Sequence, residues 1–273
     1  MIKVPGRIGM HITHACNFTC QGCLDFTNHG HSGMISVDEG REWMSYWNKR
    51  IIPEDWFALL GGEPTLHKDL VEYIYMTREM WPNIEIKLIT NGSFLNRHPE
   101  LPKALKDTDT TLAISLHHDS EKYQDMIRKQ LNLVVEWKKE YDIRVFVERF
   151  YKHWNLTYKG FGNNIMPFDD NNPEESWKYC AVEGKCFQLN YGKIYKCPPL
   201  AHLPMQAEKY QLSEKWDPYL KYVPLHPECS DEEIVEFFNR KAESVCAMCP
   251  AYQTKIIKED PMLPISYWEK KYQ

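Results

Sequence analysis

Cys16, Cys20 and Cys23 stand in the spacing C-x3-C-x2-C directly after an alternating apolar run, Ile8-Gly-Met-His-Ile-Thr13. A strand that ends in so short a loop delivers three thiolates to one point. Three thiolates can hold an iron–sulfur cube while leaving its fourth iron without a protein ligand, open for a small molecule to chelate. Cysteine-ligated electron carriers are instead closed by four thiolates. The competing reading is tetrahedral zinc, with His11 or His14 completing the set. Disulfides are disfavoured, because the chain opens Met-Ile-Lys-Val-Pro with no charged-then-apolar leader and no cleavage site, which implies a reducing cytoplasm.

Three further clusters follow predicted strands. Trp56-Phe-Ala-Leu-Leu60 runs into Gly61-Gly62-Glu63-Pro64. Its glycines let backbone approach a ligand, and Glu63 offers an anionic acceptor for an ammonium group. Ile84-Glu-Ile-Lys-Leu-Ile89 ends in Thr90-Asn91-Gly92, and Leu112-Ala-Ile-Ser-Leu116 carries Ser115 and ends at His117-His118. The carboxyl ends of parallel strands are where such folds bind ligands, so these clusters can share one site. The triplet, the Gly-Gly-Glu-Pro and the Thr-Asn-Gly together resemble the radical S-adenosylmethionine (radical SAM) enzymes. One residue departs from that resemblance: the position before the third cysteine, often an adenine-contacting aromatic, is Gly22.

Helical patterns alternate with the strands. Helices are expected from Val37 to about Arg50, from Asp69 to Met80, closed by Pro82, and from Ser120 to about Glu140, with Ile143-Arg-Val-Phe-Val-Glu148 as the fifth strand. A sixth strand is placed around Asn163 to Pro167. The alternation predicts an α/β fold with a parallel sheet and right-handed crossovers. The resemblance makes it a partial (β/α)6 TIM barrel. Asp25 to Met34 reads as a polar loop, with His29 and His31 solvated or, in the sharper alternative, touching substrate. The Pro-, Asn- and Asp-rich stretch Pro167-Phe-Asp-Asp-Asn-Asn-Pro173 marks a boundary, giving a core over residues 1–167 and a cysteine-rich hairpin-plus-helix extension over 168–273.

That second part carries Cys180, Cys186, Cys197, Cys229, Cys246 and Cys249. Cys186-Phe-Gln-Leu-Asn-Tyr-Gly-Lys-Ile-Tyr-Lys-Cys197 reads as a hairpin turning near Tyr191-Gly192, which sets Cys186 opposite Cys197 at roughly 5 Å between β-carbons. Cys246-Ala-Met-Cys249 adds a chelate used by zinc and iron–sulfur sites alike. The arrangement resembles the Twitch extension of the radical SAM enzymes, a shortened relative of the SPASM extension, and so implies an auxiliary four-iron–four-sulfur cluster. Distance from the hairpin glycine favours Cys180 as its first ligand and cross-strand geometry favours Cys186; the sequence leaves both open. Cys229, after Pro227-Glu228, reads as a packing cysteine or, in the sharper alternative, a hydrogen-atom donor to a substrate radical. The spare member of the Cys180/Cys186 pair is an equal candidate.

By resemblance, S-adenosylmethionine binds the open iron through its amino and carboxylate groups, with the Gly61-to-Pro64 loop on the ammonium and Asn91 and Ser115 as hydrogen-bond partners. One electron, from a donor such as flavodoxin or ferredoxin, then yields methionine and a 5′-deoxyadenosyl radical that takes hydrogen from substrate. Glu148, Arg149, His117 and His118 are strand-end candidates for a general base. The expected substrate is small and polar, sugar-like or a nucleotide sugar, to be oxidised, dehydrated or epimerised. The alternatives are a peptide- or protein-modifying maturase and a non-enzymatic metal-binding or electron-carrier protein. A formal charge of −5 over 273 residues shows no basic field for nucleic acid, and no apolar run approaches the roughly 20 residues of a membrane span.

Overall fold

The structure, a computed structural model, describes residues 1–152, 154–169, 172–182 and 184–273. The first half alternates strand and helix: β1 (Ile2–Val4), β2 (Arg7–His11), α1 (Val37–Ser45), β3 (Ile51–Pro53), β4 (Phe57–Leu60), α2 (Leu70–Met80), β5 (Ile86–Thr90), α3 (Leu101–Asp107), β6 (Thr110–Leu116), α4 (Glu121–Tyr141) and β7 (Val145–Arg149). After a short β8 (Trp154–Asn155) come α5 (Pro173–Lys178), β9 (Cys186–Asn190), β10 (Lys193–Tyr195), α6 (Pro198–Lys209), α7 (Asp217–Leu220), α8 (Asp231–Asn239), β11 (Lys255–Ile256) and α9 (Ile265–Lys271).

Local sequence sets the helix ends. Ser36 caps α1 in a reciprocal capping box with Glu39, and Ser120 accepts the Tyr123 amide to start α4. Asp142, in the left-handed region, stops α4. The buried face of α1, with Trp43 and Met44, lies against the barrel, and Trp47 just beyond it donates its indole N–H to the Gly192 carbonyl 2.9 Å away.

The main sheet has the order β10-β9-β2-β4-β5-β6-β7, and from β9 to β7 every neighbouring pair is parallel. β6 sits inside it, buried along its whole length, whereas β7 is an outer strand with Phe146 and Val147 exposed. The fold is therefore α/β with a largely parallel sheet, as the strand–helix alternation predicts. The strand expected near 163–167 is not there. Gly160 and Gly162 take φ of +80° and +61°, turning the chain into a 3-10 segment, Gly162–Asn164, and leaving only an antiparallel bridge between Lys159 and Met166. The sixth parallel strand comes instead from the opposite edge: β9, beyond the expected boundary, pairs with β2 from Arg7↔Cys186 to Met10↔Leu189.

The larger apolar core accordingly runs across residue 167, with Phe187, Leu189 and Phe238 packed among barrel residues such as Ile8 and Phe57. A smaller core, around Phe26, Tyr158, Leu200 and Trp216, joins the loop after the cysteine triplet to α6 and its successors. Among the described residues no helix is long and apolar enough to cross a membrane.

Candidate functional site

Side chains alternate across a strand, so one set from each parallel strand faces inward. Arg7 of β2, Lys87 of β5, Ser115 of β6, Glu148 of β7 and Gln188 of β9 all line one cavity of about 580 Å³. That volume lies within the roughly 300–1,000 Å³ of small-molecule sites. Cys16, Cys20 and Cys23 border it at the carboxyl end of β2.

Each thiol of the triplet is held locally. Cys16 Sγ accepts the Phe18 amide at 3.4 Å, Cys20 Sγ lies 3.6 Å from His117 Nδ1, and Cys23 Sγ lies 3.4 Å from Thr27 Oγ1. Burial, reinforced by Cys20, holds the Cys16 thiol well above its ordinary range, and burial beside Asp25 pushes Cys23 up to about 12. Three mutually repelling thiolates at a buried cavity wall are stable only with a cationic centre between them. The donor set thus fits a three-thiolate cluster, with amide-to-sulfur bonding of the kind that tunes such centres. His117, neighbour to Cys20, is kept neutral by burial and by Lys258 Nζ, 3.2 Å from its Nδ1.

Glu63 has its partners within the chain itself. It is fully buried, and its carboxylate accepts the Thr65 amide (2.9 Å), the Thr65 and Thr90 hydroxyls (2.5 Å each) and the Asn91 amide (2.7 Å). Neither Glu63 nor Pro64 borders the cavity, whereas Gly61, Gly62, Asn91 and Ser115 do. Glu63 therefore locks the Gly-Gly-Glu-Pro turn to the Thr-Asn-Gly turn. Asn91 continues that lock, donating to Asn17 Oδ1 at 2.9 Å inside the cluster loop. The two glycines are needed against the chain's own backbone: a Cβ on Gly61 would lie 2.5 Å from the Thr13 carbonyl oxygen, and one on Gly62 would lie 2.2 Å from that of Ala15. Gly62→Ala is expected to cost about 1–3 kcal/mol by forcing the two loops apart, measured as a fall in thermal midpoint of the apoprotein.

The second-half cysteines divide. Cys180, Cys246 and Cys249 lie near enough to Cys197 to raise its thiol by mutual repulsion, after burial as the main cause. The hairpin register, Gln188↔Tyr195, turns where expected at Tyr191-Gly192. Cys186 nonetheless stands apart from that quartet. It borders the cavity, takes a 3.5 Å contact from Gln188 Nε2, and owes its raised thiol to burial. The chain leaves β10 at Tyr195 and turns Cys197 onto the start of α6, so cross-strand pairing does not carry through to the sulfurs.

Cys229 lies outside the cavity. Arg50, next to the start of β3, donates to its carbonyl at 2.7 Å and to its sulfur at 3.8 Å, just before α8. That position fits the packing reading of Cys229. His29 and His31 are likewise not solvated: α6 and its flanking turns cover them, with His29 Nε2 3.3 Å from the Tyr158 hydroxyl and His31 Nε2 2.5 Å from Gln206 Oε1. Of the base candidates, Glu148 and His117 border the cavity and Arg149 and His118 do not.

Sequence reasoning missed Trp154 and Lys258. Gly22, at φ +63°, has no room for a Cβ, since Leu156 Cδ2 would lie 2.4 Å away. Trp154 from β8 borders the cavity beside it, its indole N–H without a partner and Lys258 Nζ 3.5 Å from the ring centroid. No motif links these positions, which lie more than 130 residues from the triplet. The basic floor of Arg7 and Lys87, both over the Trp56 ring at 5.4 and 4.8 Å, was legible only as strand alternation.

Residues 10–137 match the family profile of the Radical SAM superfamily. Among curated proteins, a probable GTP 3′,8-cyclase of Sulfolobus acidocaldarius is 37% identical over 112 residues, covering 39% of this chain and 32% of the relative. The GTP 3′,8-cyclase of Aquifex aeolicus is 27% identical over 164 residues, covering 56% and 48%. The first-matching curated relatives are each spanned over only about a third of their length. A crystal structure of BtrN in complex with AdoMet and 2-DOIA superposes with a TM-score of 0.46 at 18% identity, covering 81% of this chain and 87% of that one. Over residues 10–137 the chain is thus similar to the Radical SAM superfamily.

Proposed function

We propose that this chain is a radical SAM enzyme acting on a small, polar, anionic substrate. Cys16, Cys20 and Cys23 hold the four-iron cluster, which with bound S-adenosylmethionine supplies a 5′-deoxyadenosyl radical on one-electron reduction by a partner such as flavodoxin or ferredoxin in a reducing cytoplasm. The observation that carries this reading is the placement of three thiols on the wall of a cavity floored by Arg7 and Lys87. Gly61 and Gly62 set the cavity wall beside the cluster loop, and Asn91 and Ser115 face the cofactor's polar groups. Trp154, with its unpartnered indole N–H, takes the adenine-facing place that Gly22 leaves empty. Arg7 and Lys87 orient the substrate's negative group, which decides the hydrogen that is lost. Glu148 is the carboxylate placed to take a proton.

Cys180, Cys197, Cys246 and Cys249 make a Twitch-like site for an auxiliary four-iron cluster. Anaerobically reconstituted protein should carry about eight irons per chain, and Cys197→Ser about four. Unchanged iron in Cys197→Ser would remove the auxiliary site. Cys186, a protonated thiol on the cavity wall, replaces Cys229 as the hydrogen-atom donor in an epimerising reaction. Solvent deuterium should then enter product in wild type and not in Cys186→Ala, whereas an oxidation incorporates none in either.

The exposed outer strand β7, with Phe146 and Val147 open, favours one second reading, a peptide substrate paired along that edge. Deuterium transfer to 5′-deoxyadenosine from labelled sugar phosphates or nucleotides, but not from labelled peptides, supports the anionic small-molecule reading. The reverse result overturns it.

A further inference from the structure

We propose that His11, His14 and His202, with Asp25 as fourth ligand, form a mononuclear divalent-metal site, separate from both cysteine groups. The three histidines converge from different parts of the fold. His11 ends β2, His14 begins the cluster loop, and His202 comes from α6 in the second half. One ring nitrogen of each lies within 4.8 Å of the others. The His11 and His202 ring centroids are 4.0 Å apart, and His14 lies 6.0 and 5.7 Å from them. All three are buried, at 2%, 8% and 2% exposure.

A packed histidine cluster of purely structural purpose would spend its nitrogens on carbonyls and hydroxyls, as His67 does on the Ile35 carbonyl and His98 on that of Thr65. Here the nitrogens have no partner: both of His11, both of His202 and Nδ1 of His14 are buried without a hydrogen bond. Asp25 Oδ1 is in the same condition, 3.2 Å from His11 Nε2 and 3.9 Å from His202 Nε2 with a hydrogen bond to neither. Six orphaned polar atoms in one place would cost about 1–3 kcal/mol each if left dry. One cation at their centre satisfies a nitrogen of each histidine and the carboxylate oxygen together.

Three imidazoles and a carboxylate are borderline nitrogen and oxygen donors, the set that suits zinc, and no thiolate competes within the group. His11 and His14 are the residues that could have completed a zinc site on the triplet. The fold turns them toward His202 instead. The metal would tie α6 to the end of β2 and, through Asp25, to the loop two residues beyond Cys23. Its role is to pin the loop that carries Cys16, Cys20 and Cys23 between the two halves of the chain, whatever chemistry that loop performs.

The test uses the full chain, reconstituted anaerobically with iron and sulfide, given one equivalent of zinc chloride and desalted. About one zinc per chain should remain, with zinc-edge X-ray absorption showing only nitrogen and oxygen neighbours at about 2.0–2.1 Å. His202→Ala and His14→Ala should each lose that zinc equivalent while iron and sulfide stay at wild-type levels, which reports that the variants still fold. Should a variant fail to fold, the wild-type absorption spectrum decides alone. Loss of zinc on desalting, a site filled by water only, overturns the proposal. So does a sulfur neighbour at about 2.3 Å, which places the zinc on cysteines, or zinc retained in both variants.

Discussion

Cys20→Ala is expected to lose about four irons per chain and to reduce 5′-deoxyadenosine formation to the level of a protein-free control. The effect is the largest available from one substitution because the triplet has no spare. Cys16 and Cys23 alone cannot hold a cube, and His117, beside Cys20, is a neutral imidazole already engaged with Lys258 at 3.2 Å. Cys229→Ala serves as the control. Its sulfur meets Arg50 outside the cavity, so iron content and cleavage should stay at wild-type levels. Wild-type cleavage in Cys20→Ala would mean that the triplet is not the seat of the chemistry.

Glu63→Gln is expected to lower stability by about 3 kcal/mol, the cost of turning a buried acceptor of charge-assisted bonds into a mismatched amide. Both carboxylate oxygens are committed, one to the Thr65 amide and to the Thr65 and Thr90 hydroxyls, the other to the Asn91 amide. An amide nitrogen in either place faces a donor. For a chain of this size that corresponds to a fall in thermal midpoint of roughly 6–12 °C. Because the Gly61-to-Pro64 and Thr90-to-Gly92 turns then separate, affinity for S-adenosylmethionine should weaken as well. A midpoint within one degree of wild type would refute the locking role and return Glu63 to direct ligand contact.

The parts of this molecule legible in sequence are those set by local periodicity and short spacing. β4 through β7, helices α2 and α4, the start of α4 at Ser120 and the turn at Tyr191-Gly192 lie where alternation, capping and turn chemistry place them. The positions of Cys16, Cys20 and Cys23 at the cavity wall follow from one strand and one loop. What was not legible depends on contacts between distant segments. β9 supplies the sixth parallel strand because it fits the free edge of β2, while Gly160 and Gly162 curl the expected segment away. Solvation of His29 and His31 could not be judged without knowing that α6 lies over them. The inward turn of Glu63 is invisible in Gly-Gly-Glu-Pro, since its partners Thr90 and Asn91 lie on the next strand end.

The proposed chemistry requires an N-terminal cluster with one iron free for the cofactor. Electron–nuclear double resonance on reduced protein with S-adenosylmethionine labelled with nitrogen-15 at its amino group tests that requirement most directly. A hyperfine coupling from the labelled nitrogen to the reduced cluster is the predicted result. A cluster signal with no such coupling, unchanged by saturating S-adenosylmethionine, would contradict it.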